Sequence, residues 1–421
     1  MPRQTALDLL DAVLGRGQRL DAALEADKRF PTLAVRDRAL VRNLVATSLR
    51  RLGQIDALIA RRLARPLHES ALRTRNALRL GVAQLLFLKV PAHAAVGETV
   101  NLVGERSHKS LVNAVLRRIS VEGPELLAAQ DAPRLNTPDW LWEAWSHRFG
   151  KATARAIADA HLGEPPLDLS VKADADDWAK RLGAARIMDT SLRLWPRGPV
   201  TEIAGYGDGA WWVQDAAAAL PARLLGPVEG RRVIDLCAAP GGKTAQLASA
   251  GAHVTAVDAS PARVRRLDDN LRRLGLKAET VVADGVTWRP PGPVDAVLLD
   301  APCSATGTIR RHPDLVWMKT ASDLAALTSL QDRLLRAAFA MVRPGGTVVY
   351  AACSLQAEEG PGRIATLRAA GIPAELIPIA PADVSGQAQL IDDAGCLRTL
   401  PCHFAKEGGV DGFFAARFRR L

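Results

Sequence analysis

The chain has 421 residues, 48% hydrophobic and 24% charged, proportions that support a packed core and argue against disorder, and it has no run of the roughly 18 apolar residues that a membrane span needs. Five cysteines over this length are too few for a disulfide scaffold, so a reducing setting is expected. The net charge is +10, and residues 1–130 hold 21 Lys+Arg against 12 Asp+Glu while the remainder is nearly neutral, which points to a polyanion partner, nucleic acid above all, rather than only an Arg-rich soluble surface.

The N-terminus, Met1-Pro2-Arg3-Gln4, lacks the apolar core of a secretory signal, so a cytoplasmic protein is expected. Residues 1–130 then read as helix after helix. Leu7, Leu10 and Leu14 recur at helical spacing, as do Val41, Leu44 and Val45, and Leu78, Val82 and Leu85. A further helix is expected from about Ser110, with Glu122-Gly123-Pro124 as its exit. The expectation is an all-α domain over 1–130.

Residues 131–205 read as a small α/β connector. Pro138-Asp139-Trp140 opens a helix, Leu167 to Val171 alternates like a short strand, and a helix follows around Asp176 to Leu182. From Tyr206 onward apolar runs alternate with amphipathic helices. The runs are Arg232 to Leu236, His253 to Val257, Glu279 to Val282, Val294 to Leu299 and Thr347 to Ala351. The helices are Thr244 to Ser249, Pro261 to Leu274 and Asp323 to Val342. This alternation predicts an α/β domain over 206–421, with a doubly wound, mostly parallel sheet.

In such sheets ligands bind beyond the C-terminal strand ends. The first run leads into Cys237-Ala238-Ala239-Pro240-Gly241-Gly242-Lys243-Thr244, small residues that let a ligand approach the backbone before a helix N-terminus. The phosphate-loop spacing fails because Cys237 stands where its first Gly belongs, and no dinucleotide Gly pattern is present. A cofactor carrying a carboxylate, such as S-adenosylmethionine, fits better. Asp258 and Asp284 end the next two runs, placed to accept ribose hydroxyls and an adenine amine, although either alone could be an ordinary turn or cap.

The fourth run ends at Asp300 and leads into Ala301-Pro302-Cys303. The fifth leads into Ala352-Cys353-Ser354. Two thiols beside a methyl donor suit methylation at C5 of a pyrimidine, where a thiolate adds to C6 and makes C5 nucleophilic. Asp300 is the expected partner for the N3/N4 edge of a cytosine. From the residues alone the second thiol could assist proton removal or thiol release, and redox pairing or simple packing remain open for both. Cys237 reads as a small contact residue, and Cys402-His403 lacks the companions of a zinc site.

Four segments carry a resemblance: Cys237 to Thr244 (CAAPGGKT), Asp300 to Gly307 (DAPCSATG), Thr308 to Asp314 (TIRRHPD) and Asp411 to Phe414 (DGFF). With Val213-Gln214-Asp215 they resemble RNA cytosine-5 methyltransferases of the Sun/Nop type, over roughly 206–421. Leu80 to Arg118 resembles a NusB-like helical RNA-binding domain. The combination is similar to bacterial enzymes acting on small-subunit ribosomal RNA. The resemblance implies a Rossmann-like fold and S-adenosylmethionine held by the Cys237–Lys243 loop, Asp258, Asp284 and Asp300. It implies Cys353 as nucleophile and Cys303 as the thiol that releases product. Ala352 departs from the family, which usually carries Thr there. Arg310, Arg311 and His312 are expected either to line an RNA path or to solvate a surface. A non-catalytic assembly factor keeping this fold is the alternative, against which both thiols argue. An NAD-dependent oxidoreductase is disfavoured by the absent Gly pattern.

Overall fold

The computed structural model describes residues 1–195 and 198–421. Two compact units emerge, residues 1–164 with 309–320, and residues 165–308 with 321–421. The first unit is helical. Its helices Pro2–Arg16, Val35–Arg50, Leu72–Val82 and Arg106–Ala128 close a core around Leu7, Leu10, Leu44, Leu49, Leu78 and Leu116, all shielded from solvent. Burying each such leucine contributes about 1.5–3 kcal/mol relative to leaving it in water.

The structure corrects the expected exit at Glu122-Gly123-Pro124, which lies inside the Arg106–Ala128 helix. Pro124 removes one backbone donor there, but Gly123 is buried and packs so closely that an added Cβ would stand 3.0 Å from Leu86. Tertiary packing therefore carries the helix past a local breaker. The expected connector over 131–205 is likewise divided, and its residues 196 and 197 lie outside the described residues. Its helices Asp139–Phe149 and Lys151–Ala160 pack with the helical unit, while its strands belong to the second.

The second unit holds two sheets. Strands β1 (Leu167–Val171), β2 (Ala185–Met188), β3 (Ser191–Leu194) and β4 (Trp211–Val213) form an antiparallel sheet in the order β2-β3-β1-β4. Asp168 and Arg193 face each other across β1 and β3 as a fully buried two-pronged ion pair, with both N···O distances 2.7 Å. Asp168 also accepts the Ala216 N–H at 3.1 Å, tying this sheet to the lead-in of the next strand. A buried charge pair is retained only when hydrogen bonds of this kind complete it.

The main sheet contains β5 (Arg232–Leu236), β6 (His253–Asp258), β7 (Glu279–Val282), β8 (Val294–Asp300), β9 (Val342–Ala352), β10 (Ala374–Ile377), β11 (Leu397–Thr399) and β12 (Phe413–Arg420). Its order is β10-β12-β9-β8-β5-β6-β7, with β11 also against β12. Strands β5 to β9 pair in parallel, as the alternation predicts, and β10 to β12 add an antiparallel edge. Strand order reverses between β5 and β8, so the crevice at their C-terminal ends is the place for a ligand. No helix among the described residues is long and apolar enough to cross a membrane.

Candidate active site

The loop after β5 is shaped by two backbone kinks, with φ of 62° at Cys237 and 100° at Gly241. The Ala238 N–H donates to Val257 O and the Ala239 N–H to the Asp258 carboxylate, which binds the loop to β6. The loop ends in the Gly242–Ser249 helix, whose first amides have no intrahelical acceptor and face the crevice end of the sheet. Thr244 anchors that helix by donating to Asp235 Oδ2 at 2.6 Å. Burial raises the Asp235 carboxyl to about 7, against the Thr244 bond and with the added charge of Asp300. Burial likewise pushes the Cys237 thiol up to about 12, assisted by Asp258 and Asp300, so it is a poor nucleophile.

Asp258 is buried, and its carboxylate also takes the Ser260 N–H at 3.0 Å and lies 3.3 Å from Arg263. Its first role is thus to fix two loops, with remaining lone pairs for hydroxyl donors. Asp284 is exposed and accepts the Val286 N–H at 2.9 Å, the turn geometry that its position also allowed.

Across the switch point, Lys243 Nζ meets Asp300 Oδ2 at 2.8 Å and lies 5.2 Å from the centre of the Phe413 ring. Burial disfavours the ammonium, yet the Asp300 carboxylate, and behind it Cys353 and Asp235, hold its pKa above the ordinary lysine value. A cation therefore sits among the groups that the sequence singled out. Cys303 Sγ and Cys353 Sγ are 3.4 Å apart. The shared hydrogen bond with Cys353, then burial, raise the Cys303 thiol well above the usual range, with further contributions from the Cys353 and Glu359 charges.

Backbone bonds set this thiol pair. Ala301 N–H donates to Ala351 O, Gly307 N–H to Cys353 O and Gly412 N–H to Gly307 O, at 2.8 to 3.0 Å. The Asp411-Gly412-Phe413-Phe414 segment thus braces the Cys303 turn. A Cβ on Gly307 would stand 1.9 Å from Gly412 O, so only glycine fits. Ala352 is fully buried opposite Phe414 across β9 and β12, where its methyl is in the sheet core.

Sequence reasoning missed the buried polar cluster beneath the thiols, Ser304, Thr306, Gln331, Tyr350, Ser354 and Glu359. The only local signal was the nearness of Glu359 to Cys353 in the chain. The segment after the Cys303 turn also differs from expectation. Residues 309–320 cluster with the helical unit. Arg310 is buried, and its carbonyl accepts Arg50 Nη2 at 3.0 Å, so its side chain neither solvates a surface nor lies open to RNA. Asp314 accepts the Leu20 N–H, and Trp317 Nε1 donates to Leu49 O. His403 Nδ1 accepts the Leu400 N–H, and no metal-binding cluster occurs among the described residues.

Known proteins resemble this chain along most of its length. A family model for 16S rRNA methyltransferase RsmB/F matches residues 222–419, and one for the NusB family matches residues 1–121. Ribosomal RNA small subunit methyltransferase B of Xylella fastidiosa is 38% identical over 436 residues, spanning 99% of this chain and 97% of that protein. Its counterpart in Klebsiella pneumoniae is 36% identical over 398 residues, spanning 89% and 91%. Among solved structures, PH0851 shares the fold with a TM-score of 0.76 at 23% identity, covering 100% of this chain and 99% of that one. A methyltransferase homologue from Pyrococcus horikoshii gives 0.55 at 25% identity, covering 66% and 94%. On the extent of these matches, the chain belongs to the 16S rRNA methyltransferase RsmB/F family, with a NusB-family segment at its N-terminal end.

Proposed function

We propose that this chain methylates C5 of a specific cytosine in small-subunit ribosomal RNA, using S-adenosylmethionine and a covalent cysteine adduct, in the cytoplasm. The observation that carries the reading is the thiol pair 3.4 Å apart at adjacent strand ends, beside the Lys243–Asp300 ion pair. The loop suits the cofactor by its chemistry. The first-turn amides of the Gly242–Ser249 helix suit a carboxylate, and Gly242 leaves the backbone uncovered. Cys237 to Lys243, Asp258, Asp284 and Asp300 are the residues that would hold it. Bound there, S-adenosylmethionine supplies an electrophilic methyl group.

The chain's own residues do the rest. Cys353 Sγ adds to C6 of the cytosine, and the C5=C6 electron pair becomes available at C5. Asp300, paired with Lys243, accepts from the N4 amine at the N3/N4 edge, and the Lys243 ammonium beside it offsets the negative charge that develops in the ring as Cys353 adds. After methylation the C5 proton leaves, the Cys353–C6 bond breaks, and the C5=C6 bond is restored. Cys303, within hydrogen-bond reach of Cys353, stabilises the departing sulfur. The target base must be turned out of its stack before a thiol can reach C6. The basic helical unit holds the surrounding RNA through phosphates, so affinity falls steeply with salt.

The test is a methylation assay with labelled S-adenosylmethionine and undermethylated small-subunit RNA, with the product mapped by bisulfite sequencing. One newly protected cytosine is the expected result. Label on a nitrogen or on ribose, or no label on RNA or on small subunits, overturns the proposal.

A further inference from the structure

Glu358 and Glu359 follow Cys353 closely in the chain, but their fates differ. Glu358 is exposed, whereas Glu359 is 0% exposed. The Glu359 carboxylate is met by donors. Oε1 accepts the Ser304 backbone N–H at 2.8 Å and Gln331 Nε2 at 3.0 Å, and Oε2 accepts the Ser304 hydroxyl at 2.5 Å. Gln331 Nε2 also donates to Pro302 O at 2.9 Å. The residues on both sides of Cys303 are therefore bonded into one buried cluster centred on a carboxylate.

The cluster is braced from behind. The Tyr350 hydroxyl reaches the Glu359 carbonyl at 2.7 Å and Gln331 Oε1 at 3.2 Å. Ser354 Oγ lies 3.2 Å from Ser304 Oγ, and Arg398 Nη1 donates to Ser354 O at 2.7 Å. A buried carboxylate surrounded by donors is costly to disturb, because any donor left without it loses its partner in a dry site.

We propose that Glu359 is a positioning residue for Cys303. Its carboxylate fixes the Pro302–Ser304 turn so that the Cys303 sulfur stays against Cys353, and its negative charge keeps Cys303 a thiol while Cys353 reacts. The proposal rests on the two-thiol reading above. In the release step the C5–H pair forms the C5=C6 bond and the C5 proton passes to water. The Cys353–C6 bond breaks as that double bond forms, and its electron pair leaves with Cys353, a thiolate that accepts the Cys303 S–H. A Cys303 already ionised would repel that thiolate instead.

The groups facing Cys303 are arranged accordingly. Cys353 lies on the strand-end side and Glu359 beneath, while the N–H of Ala305 acts in the opposite sense and Tyr350 lies behind. Arg363 and Asp332 pair with each other at 2.5 Å beyond Tyr350, and Arg398 is bonded to Ser354. Lys243, with Asp300, is on the Cys353 side. The asymmetry places an anion by the release thiol and a cation by the nucleophile.

The experiment follows the fraction of full-length protein covalently attached to RNA during turnover, on denaturing gels, from neutral to alkaline pH. The proteins are the parent, Cys303→Ala and Glu359→Gln. Cys303→Ala accumulates adduct at every pH. Glu359→Gln accumulates it selectively at alkaline pH, several-fold over the parent, as expected when loss of the Glu359 charge lowers the Cys303 ionisation. A parallel fall in methylation and adduct at every pH means a merely structural role and overturns the proposal. Adduct in Cys303→Ala without alkaline accumulation in Glu359→Gln overturns this proposal alone. Absence of adduct in Cys303→Ala removes the two-thiol reading and this proposal with it. Should Glu359→Gln fail to fold, Ser304→Ala removes the 2.5 Å bond to Glu359, together with the longer hydroxyl contacts to Thr306 and Ser354, and keeps the backbone bond to the carboxylate. A several-fold rise in adduct is then expected, and unchanged release overturns the clamp.

Discussion

The leucine-centred core of the helical unit and the carboxyl edge of the main sheet bury different kinds of atom. The helical core is mostly leucine, valine and alanine, with Leu7, Leu44, Leu78 and Leu116 at its centre. The sheet edge buries Glu359, Gln331, Tyr350, Asp235 and Thr244, joined by hydrogen bonds of 2.5 to 3.2 Å. Apolar packing is non-directional and tolerates small shifts at modest cost. A buried polar network is directional, and one missing partner strands another. The difference teaches where rigidity is needed: one unit must fold and present charge, the other must hold two sulfurs in register.

The strongest break in that comparison is at the thiols. Cys353→Ala is expected to lower methylation by at least about 10³-fold and to abolish RNA attachment, with little change in melting temperature. Retained turnover would show that Cys353 is not the nucleophile. Next is Gly307→Ala, which forces apart Gly307 and Gly412. Activity should fall about 100-fold and stability by about 2 kcal/mol. Urea melts and initial rates read both, and a variant with parental rates would show that the thiol turn does not depend on this brace.

Leu44→Ala sharpens the contrast from the other side. A fully buried leucine is lost, so stability should fall by about 3 kcal/mol. The rate per folded molecule should stay within about twofold, because no directional contact is broken. The last contrast lies in pH dependence, at Asp235. Its folded-state pKa, about 7, lies above the ordinary aspartate value, so the folded state retains a proton that the unfolded chain has released. Its contribution is present at acid pH and is lost as pH rises toward and through 7. Asp235→Asn should flatten that decline. Identical pH–stability slopes for parent and variant would show that Asp235 does not titrate in this window.

The parallel half of the sheet was legible because its central strands β5, β8 and β9 are largely buried and read as apolar runs. The helix Pro261–Leu274 and the strand Leu167–Val171 occur where the pattern predicts them. The antiparallel edge was not read, although β12 carries a signal. Phe414, Ala416 and Phe418 face one side of the sheet, while Phe413 and Ala415 face the other. Basic residues at its far end obscured that alternation. At the site, the loop from Cys237 to Lys243 and the two thiols were visible because each lies in a short local motif. Glu359 was not, since nothing local distinguishes it from exposed Glu358. Its burial is decided by Ser304 and Gln331, 55 and 28 residues away in the chain. The same non-locality hid the capture of residues 309–320 by the helical unit.

Strand β12 lies between β9 and β10 although it follows both in sequence. Until residues 413–420 arrive, β9 has an open hydrogen-bonding edge and Gly307 lacks its bond from Gly412. Pairings of such long sequence separation form slowly. In a pulsed hydrogen-exchange experiment, the Gly412 amide should gain protection together with those of β12, after those of β5, β6 and β8. The chemistry-bearing turn is then a late product of folding, and a partly folded chain presents no competent thiol pair to RNA.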